Sequence, residues 1–398
     1  MQQTEAQRAI ESLRKGLPAE GFVRQFTVGR ESEMSELTSR LDSGEPGTVL
    51  LEANYGAGKT HLLQFVRETA LSSGYAVSLV TLDSQSAVRF NRMDQILGAV
   101  WRGLEIPKDK QRGVRPFLDL VCREIDGTKA SGNGHTLWQK ITNGWKWDYS
   151  DALASPAMFI AVRAWATGRS DVRDLIEDWL LQPADYQARR KDLYEALVLN
   201  LRANFRDPRP DWKFYDNSEG VFNFQRQEHS QSWSALRDMH DLACAAGLKG
   251  LVILFDEFED VIHNLKGVNY QEAAFWNLFE FYSGKKFESM SFFAVTPDFA
   301  AKCKTLLMDK GRWDYDYSLF ENLPRFQMSP LTTEDLQELA IRIMECHGLA
   351  CGWEPDLEMK MSALQSLVQD ASSAPMQDRA RFTIREIVKF LDQLEGMQ

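Results

Sequence analysis

The stretch from Thr48 to His61, TVLLEANYGAGKTH, places the strongest constraint on the fold of this 398-residue chain. Three apolar residues lead into a loop of small residues, and a helical pattern of apolar residues follows the loop. This order of strand, loop and helix fits the spacing of a phosphate-binding P-loop, with Ala53 in the first glycine position. A glycine-containing turn before a surface helix is the alternative, but such a turn does not require the Lys-Thr pair. The stretch therefore predicts an α/β fold with a phosphate site at the end of a strand.

The residue types in this loop suit contact with phosphate. Glycines let the backbone turn its N–H groups toward phosphate oxygens at places where a side chain would block the approach. The positive end of the helix dipole attracts the same oxygens. Lys59 would reach the β- and γ-phosphates of ATP, and the Thr60 hydroxyl would bind Mg²⁺. The residues that we assign to nucleotide binding here are Tyr55, Gly56, Ala57, Gly58, Lys59, Thr60 and His61.

A second motif supplies carboxylates for the same chemistry. Residues 251–257, LVILFDE, are five apolar residues followed by Asp256 and Glu257. A continuous apolar run is typical of a parallel strand buried on both faces, and open α/β sheets bind ligands at the C-terminal ends of such strands. Asp256 would hold Mg²⁺ through water, and Glu257 would polarise the water that attacks the γ-phosphate. The alternative is a strand that ends in a solvated acidic turn, because Glu259 and Asp260 follow.

Two other apolar runs, at 76–82 and 291–296, and the segment 323–330 predict three more strands of a parallel sheet. Lys59 and Asp256 are much farther apart than two strand–helix units require, which indicates a large insertion. After Pro330, apolar residues recur at helical spacing to the end of the chain, which predicts a helical lid. The predicted domains are the N-terminal part of the ATPase core (1–90), a mostly helical insertion (91–235), the remainder of the core (236–330) and the C-terminal lid (331–398).

The insertion differs from the remainder of the chain in composition. Residues 101–235 contain 20 Lys and Arg against 19 Asp and Glu, whereas the whole chain has a net charge of −11. They also contain eight of the eleven tryptophans. Aromatic and basic side chains together can bind a nucleic-acid strand, although buried tryptophans more often form the core of a helical subdomain. Both interpretations stay open, while the net charge argues against broad, charge-driven DNA binding by the whole surface.

Composition also bears on the compartment. No apolar run approaches the length of a membrane span, and the first residues lack the hydrophobic segment of a signal peptide. The five cysteines form neither a CxxC pair nor a metal-binding pattern with histidine. These features predict a cytoplasmic protein without a membrane partner and without a structural metal.

Three further positions resemble functional elements of AAA+ ATPases. Val28, Gly29 and Arg30 resemble a box that lies against the base and ribose of the nucleotide in the origin-recognition and STAND-like branches. Thr296 ends the strand predicted beside Asp256, which is the place of sensor 1. Arg381 begins the last helix, which is the place of sensor 2. The alternatives are a loop with a surface arginine for the box, a turn start for Thr296 and a surface arginine for Arg381.

An arginine finger acting on a neighbouring subunit would require a homo-oligomer. Arg312 and Arg325 are the candidates for this role, and the sequence does not rank them.

Four segments together resemble the BrxC/BrxD family of BREX phage-defence ATP-binding proteins, which are P-loop ATPases of AAA+ or STAND-like type. These segments are FTVGRESEM, LLEANYGAGKTHLL, GLKGLVILFDEFEDV and RFTIREIVKFLD, and the chain length favours the short, BrxD-like branch. In the last segment, Ala380 stands where a proline often precedes the sensor-2 arginine.

The resemblance implies an ATP-hydrolysing switch that couples ATP to assembly or DNA engagement of a multi-protein defence complex. A helicase, a methyltransferase or a phosphatase-like subunit would then be partners. The alternatives are a weakly hydrolysing, nucleotide-dependent adaptor and a DNA-translocating motor.

Overall fold

A computed structural model describes residues 1–82, 88–125, 137, 152–182, 196–197, 224, 226–259, 265–312, 316–353, 357–372 and 379–395. The strands are β1 (Gly47–Glu52), β2 (Ala76–Thr81), β3 (Leu104–Glu105), β4 (Leu251–Asp256), β5 (Met290–Val295) and β6 (Arg325–Gln327). The first seven α-helices are α1 (Gln3–Arg14), α2 (Glu31–Ser43), α3 (Lys59–Ser72), α4 (Met93–Gly103), α5 (Val114–Ile125), α6 (Pro156–Trp165) and α7 (Ser170–Leu181). The others are α8 (Arg226–Ala245), α9 (Val268–Ser283), α10 (Phe299–Asp309), α11 (Ser318–Glu321), α12 (Thr333–Cys351), α13 (Leu357–Ser372) and α14 (Arg379–Glu395).

The six strands form one sheet in the order β3–β2–β4–β5–β1–β6. All pairings are parallel except the antiparallel pair of β2 and β3. Glu52 lies opposite Val295, and Thr81 lies opposite Asp256, so the C-terminal ends of four strands are aligned. Because parallel strands end at the same edge, the P-loop and the predicted carboxylates meet there.

The predicted α/β fold with a mostly parallel sheet is confirmed, and each of the five predicted strands is present. The last strand is shorter than predicted, because only Arg325–Gln327 pair with β1. The two-residue strand β3 was not predicted. The assignment to the AAA+ type stays a prediction.

Side chains on the two faces of the sheet enter different apolar clusters, because successive residues of a strand point to opposite faces. Val49 and Leu51 of β1 pack in a cluster with α2 and α3, whereas Leu50 belongs to a cluster with the insertion helices. Helices α4, α5 and α8 contact strands of the sheet, and α6 and α7 pack on these helices. Four tryptophans of the insertion are buried in that cluster, namely Trp101, Trp165, Trp179 and Trp233. Burial excludes these four side chains from stacking on DNA; Trp138, Trp145, Trp147 and Trp212 lie outside the described residues.

The C-terminal helices α12, α13 and α14 form a third cluster together with the first helix of the chain. Ile10 and Leu13 of α1 pack with Leu339 and Ile387, and Arg14 forms a 2.9 Å ion pair with Asp392. The first helix thus packs on the predicted lid rather than on the sheet, although the predicted boundaries place residues 1–90 with the ATPase core. The helices in the described ranges include none with both the length and the apolar composition to cross a bilayer.

Asp238 on α8 anchors the start of α6. Its buried carboxyl group, whose pKa burial raises to about 8, accepts hydrogen bonds from the backbone N–H groups of Ala154 (2.7 Å) and Ser155 (2.8 Å). In Asp238→Ala both N–H groups would lose their acceptor in a dry site, which costs about 1–3 kcal/mol for each group. We therefore expect the free energy of unfolding, measured by urea denaturation, to fall by about 2–6 kcal/mol.

The exposed Asp241 on the same helix provides the matched control for this prediction. Asp241→Ala should change the free energy of unfolding by less than about 0.5 kcal/mol. Equal losses in the two variants would show that the carboxylate of Asp238 does not anchor α6.

Candidate functional site

The P-loop connects β1 to α3 and depends on two glycines. Gly56 has φ 73° and Gly58 has φ 97°, a left-handed conformation that residues with a side chain rarely adopt. Gly58 is also the N-cap of α3, so that the helix begins at Lys59. The first N–H groups of a helix have no partner within the helix, and the dipole makes this end positive. The loop is therefore built to receive an anion.

Lys59 is buried, and its ammonium group faces three groups of the described residues. Nζ donates a 3.0 Å hydrogen bond to the Ala53 carbonyl and lies 3.2 Å from Oε1 of Glu259. It also lies 4.8 Å from the ring centroid of Tyr55. The lysine of the motif is thus held at the mouth of the P-loop by an acidic, a carbonyl and an aromatic group.

Asp256 and Thr60 face each other across the loop. Asp256 is the last residue of β4, is buried, and accepts a 3.0 Å hydrogen bond from the Glu257 backbone N–H. Burial raises the pKa of Asp256, and a hydrogen bond with the Thr60 side chain opposes this rise. A carboxylate and a hydroxyl next to a phosphate cradle are the oxygen donors that Mg²⁺ prefers, so these two residues fit the predicted metal.

Glu257 follows Asp256 and has an unusual backbone. Its φ is 56°, in the left-handed region that few residues other than glycine occupy. Strain of this kind is common at functional sites, where it directs a side chain that regular strand geometry would point elsewhere. The exposed side chain of Glu257 lines the same pocket as Lys59.

The two predicted sensor residues come from different parts of the fold. Thr296 is buried directly after β5, the strand between β1 and β4. Arg381 lies on α14 and lines the pocket from the side of the C-terminal helices. Its side chain packs against Gly16, where an added Cβ would lie 2.8 Å from Cγ of Arg381.

Arg30 connects three parts of the site. Its guanidinium donates to Oε1 of Glu33 (3.1 Å), to the carbonyl of Ala57 (3.2 Å) and to the carbonyl of Ser329. It therefore joins α2, the P-loop and the segment that leads from β6 to α12. The preceding Val28 is buried and lines the pocket, with Gly29 between them. Contact of this box with the base and ribose stays a prediction.

These elements enclose a pocket of about 370 Å³. One wall carries the P-loop, Asp256, Glu257 and Glu259, whereas the wall formed by the N-terminal segment and the C-terminal helices is apolar apart from Arg381. The apolar residues come from the N-terminal segment and the C-terminal helices: Leu13, Leu17, Pro18, Phe26, Val28, Leu331, Leu339 and Ile384. An apolar wall beside an anion cradle matches a nucleoside phosphate, whose base is apolar on its faces and whose phosphates are charged.

Two parts of this pocket were missed by reasoning from the sequence. The N-terminal segment around Leu17 closes the apolar wall, and Glu259 faces Lys59. The sequence shows an apolar face on the first helix, but it does not show that this face packs on the C-terminal helices. Glu259 offered no signal, since it stands among acidic residues that are typical of a solvated turn.

His61 lies beside the box that contains Arg30. The Thr27 hydroxyl donates a 2.8 Å hydrogen bond to the Val23 carbonyl and lies 2.8 Å from Nε2 of His61. Because a hydroxyl has one hydrogen, Nε2 of His61 must be the donor to Thr27. Burial lowers the pKa of His61 to about 4, with a smaller contribution from the charge of Arg30. The imidazole is therefore neutral at neutral pH.

The shifted pKa of His61 predicts a loss of stability in acid. The pKa of His61 is about 4 in the folded chain and 6.5 in the unfolded chain. Between pH 4 and pH 6.5 the proton therefore binds to the unfolded chain but not to the folded one. Stability contributed by neutral His61 is therefore lost as the pH falls from 6.5 toward 4. We expect a loss of about 2 kcal/mol between pH 7 and pH 5 in urea denaturation.

His61→Gln provides the comparison, because glutamine can donate to Thr27 but does not titrate. The variant should lack this part of the pH dependence. The same loss in wild type and variant would assign the acid sensitivity to other groups.

The model of one protein family, described as BREX system ATP-binding protein BrxC/D, matches residues 1–139 and 226–398. The matched parts contain the P-loop, the Asp256–Glu257 pair and the C-terminal helices, and they leave out the middle of the insertion. No curated protein and no solved structure matches the chain. The family match covers well over half of the sequence and includes every residue of the pocket described above. The chain belongs to the BrxC/D family of BREX system ATP-binding proteins.

Proposed function

We propose that this protein is an ATP-hydrolysing switch of AAA+ type in bacterial anti-phage defence, where it couples ATP to assembly or DNA engagement of a multi-protein complex. The observation that carries this proposal is the meeting of Lys59, Thr60 and Asp256 at one pocket, with an apolar wall opposite. Membership of a BREX ATP-binding family supports both the nucleotide and the setting.

The proposed chemistry assigns one role to each group. Lys59 and the N–H groups at the start of α3 bind the β- and γ-phosphates. Thr60 and Asp256 hold Mg²⁺, which neutralises phosphate charge when it is bound. Glu257 accepts a proton from the water that attacks the γ-phosphate. Thr296 orients that water or the γ-phosphate from the end of β5.

The position of the C-terminal helices supports the AAA+ type. They cover the pocket from the side opposite the sheet, and they bring Arg381 to its wall. An arginine at this place supplies positive charge to the phosphates and senses whether the γ-phosphate is present. Since α1 packs on the same helices, we propose that the N-terminal helix moves with them.

A weakly hydrolysing adaptor is the second candidate, and the arginines favour it. Arg312 forms a 2.8 Å ion pair with Glu272, and Arg325 lies 3.5 Å from Glu52. Both candidates for an arginine finger are thus engaged within their own chain. An adaptor would bind ATP, hydrolyse little and present the insertion to a partner.

Other proteins of the defence system are the proposed partners, and a helicase, a methyltransferase or a phosphatase-like subunit would fit. DNA contact through the insertion and formation of a homo-oligomer belong to the same proposal. The four described tryptophans of the insertion are buried, so a DNA contact would use other side chains.

The steady-state rate of ATP hydrolysis, measured with and without duplex DNA, tests the proposal. A switch should hydrolyse ATP slowly alone and change its rate by a few-fold with DNA or a partner protein. A steep rise with DNA length would favour a DNA-translocating motor. ATP binding without hydrolysis under all conditions would favour the adaptor.

A further inference from the structure

Glu259 is a carboxylate that the proposed chemistry leaves without a role. It lies three residues after Asp256, is 6% exposed and lines the pocket. Its Oε1 is 3.2 Å from Nζ of Lys59, whereas Oε2 has no hydrogen-bond partner among the described residues. Burial raises the pKa of Glu259, and the charge of Lys59 opposes this rise. A buried carboxylate with one oxygen unsatisfied costs stability, which indicates that it serves another purpose.

The contacts of Lys59 suggest what this purpose is. An ammonium group has three N–H donors, and three groups in the described ranges face it: the Ala53 carbonyl, the Glu259 carboxylate and the Tyr55 ring. Lys59 must give up at least one of these contacts before it can bind a phosphate. Of the three groups, Glu259 is the anion, so it takes the place that a phosphate oxygen would take.

We propose that Glu259 holds Lys59 in the nucleotide-free protein and competes with the β- and γ-phosphates for its ammonium group. The inference rests on the proposed function, because it requires a nucleotide at the P-loop. Glu259 is then a positioning residue that weakens the binding of ATP and ADP. When a phosphate takes Lys59, the Glu259 carboxylate is left beside the negative charge of the nucleotide, and this repulsion adds to the cost of binding.

The competition concerns only ligands with a β-phosphate. AMP fills the apolar wall and the first phosphate position but does not reach the lysine of a P-loop. AMP therefore serves as an internal control, because its binding should not depend on Glu259. A ligand role of Glu259 toward Mg²⁺ would have the opposite sign, since its loss would weaken the binding of ATP when Mg²⁺ is present.

Glu259→Gln tests the proposal, because glutamine keeps the shape of the side chain and removes its charge. Dissociation constants of ATP, ADP and AMP are measured by isothermal titration calorimetry, once in EDTA and once in Mg²⁺. We expect ATP and ADP to bind at least about tenfold more tightly to the variant, which corresponds to 1.4 kcal/mol. The affinity for AMP should stay within about twofold of the wild-type value.

Two variants complete the design. Glu45→Gln removes one negative charge from an exposed loop and should leave all three affinities unchanged. Glu259→Asp keeps the negative charge but moves it farther from Lys59, because the side chain of aspartate is shorter. The gain in ATP affinity should therefore be smaller than in Glu259→Gln. This variant carries the test if circular dichroism shows that Glu259→Gln does not fold.

Several results would overturn the proposal. They are an unchanged or weaker affinity for ATP in Glu259→Gln, a weakening confined to Mg²⁺, and an equal gain for AMP. Failure of the nucleotide binding on which the inference rests looks different, because wild-type protein would then bind no ATP at all; binding without hydrolysis would defeat the proposed switch but leave this test intact. If wild-type protein binds ATP through Lys59 and Glu259→Gln brings no gain, only the inference about Glu259 fails.

Discussion

Lys59→Ala should abolish ATP hydrolysis and weaken ATP binding by at least about 100-fold. The ammonium group balances the negative charge of the β- and γ-phosphates, and alanine leaves that negative charge unbalanced. The variant also removes the ion-pair partner of Glu259, which then stands unpaired beside the phosphates. The expected loss therefore exceeds that of one charge-assisted contact. Calorimetry measures the binding, and phosphate release measures the hydrolysis.

The exposed Lys249 provides a matched control at the opposite end of β4. Lys249→Ala should leave the affinity and the rate within about twofold of wild type. A second comparison uses the double variant Lys59→Ala with Glu259→Gln, which should recover part of the lost affinity because the unpaired carboxylate is gone. Hydrolysis at the wild-type rate in Lys59→Ala would place the ATPase site elsewhere in the protein.

Glu257→Gln should reduce the rate of ATP hydrolysis by about 100- to 10,000-fold and change ATP affinity by no more than a few-fold. Glutamine keeps the hydrogen-bonding shape of the side chain but accepts no proton from the attacking water. Lys59, Thr60 and Asp256 stay in place, so the phosphates and Mg²⁺ keep their ligands. Single-turnover phosphate release separates this chemical step from nucleotide binding.

Glu288→Gln, at an exposed position outside the pocket, controls for the loss of one negative charge. A normal rate in Glu257→Gln would remove Glu257 from water activation. A parallel loss of ATP affinity would instead indicate that the left-handed backbone at this residue shapes the loop around Asp256.

Local patterns in the sequence were sufficient to predict much of the fold. Apolar runs identified four strands, because a parallel strand buried on both faces has no polar positions to interrupt the run. Gly56 and Gly58 marked the phosphate loop, since both adopt left-handed backbone. The strand β3 was not predicted from the sequence, because it is two residues long and is stabilised by tertiary contacts. One of these is the ion pair of Glu105 with Arg67 on α3, which includes a 2.6 Å hydrogen bond.

Residues whose role depends on a distant partner were not predictable. The first helix showed an apolar face, but the sequence does not reveal that Leu13 packs on the C-terminal helices. Arg30 was expected at the nucleotide, and its contacts with the carbonyls of Ala57 and Ser329 join segments far apart in the chain. Glu259 belongs to an acidic run, and only the fold separates the buried Glu259 from the exposed Glu257.

The role of the tryptophans in the insertion was likewise not predictable from the sequence. Aromatic side chains at helical spacing suit a protein core and a nucleic-acid surface equally well, so composition left both open. The structure buries Trp101, Trp165, Trp179 and Trp233 in one apolar cluster, which assigns these four to the core.

We propose that the pocket between the P-loop and the C-terminal helices hydrolyses ATP. The most direct measurement is single-turnover phosphate release, with wild-type protein in excess over ATP and with Mg²⁺ present. Release of one phosphate for each ATP, lost in Lys59→Ala, is the predicted result. Protein that binds ATP through Lys59 and still releases no phosphate, with or without duplex DNA, would contradict the claim and leave the adaptor in its place.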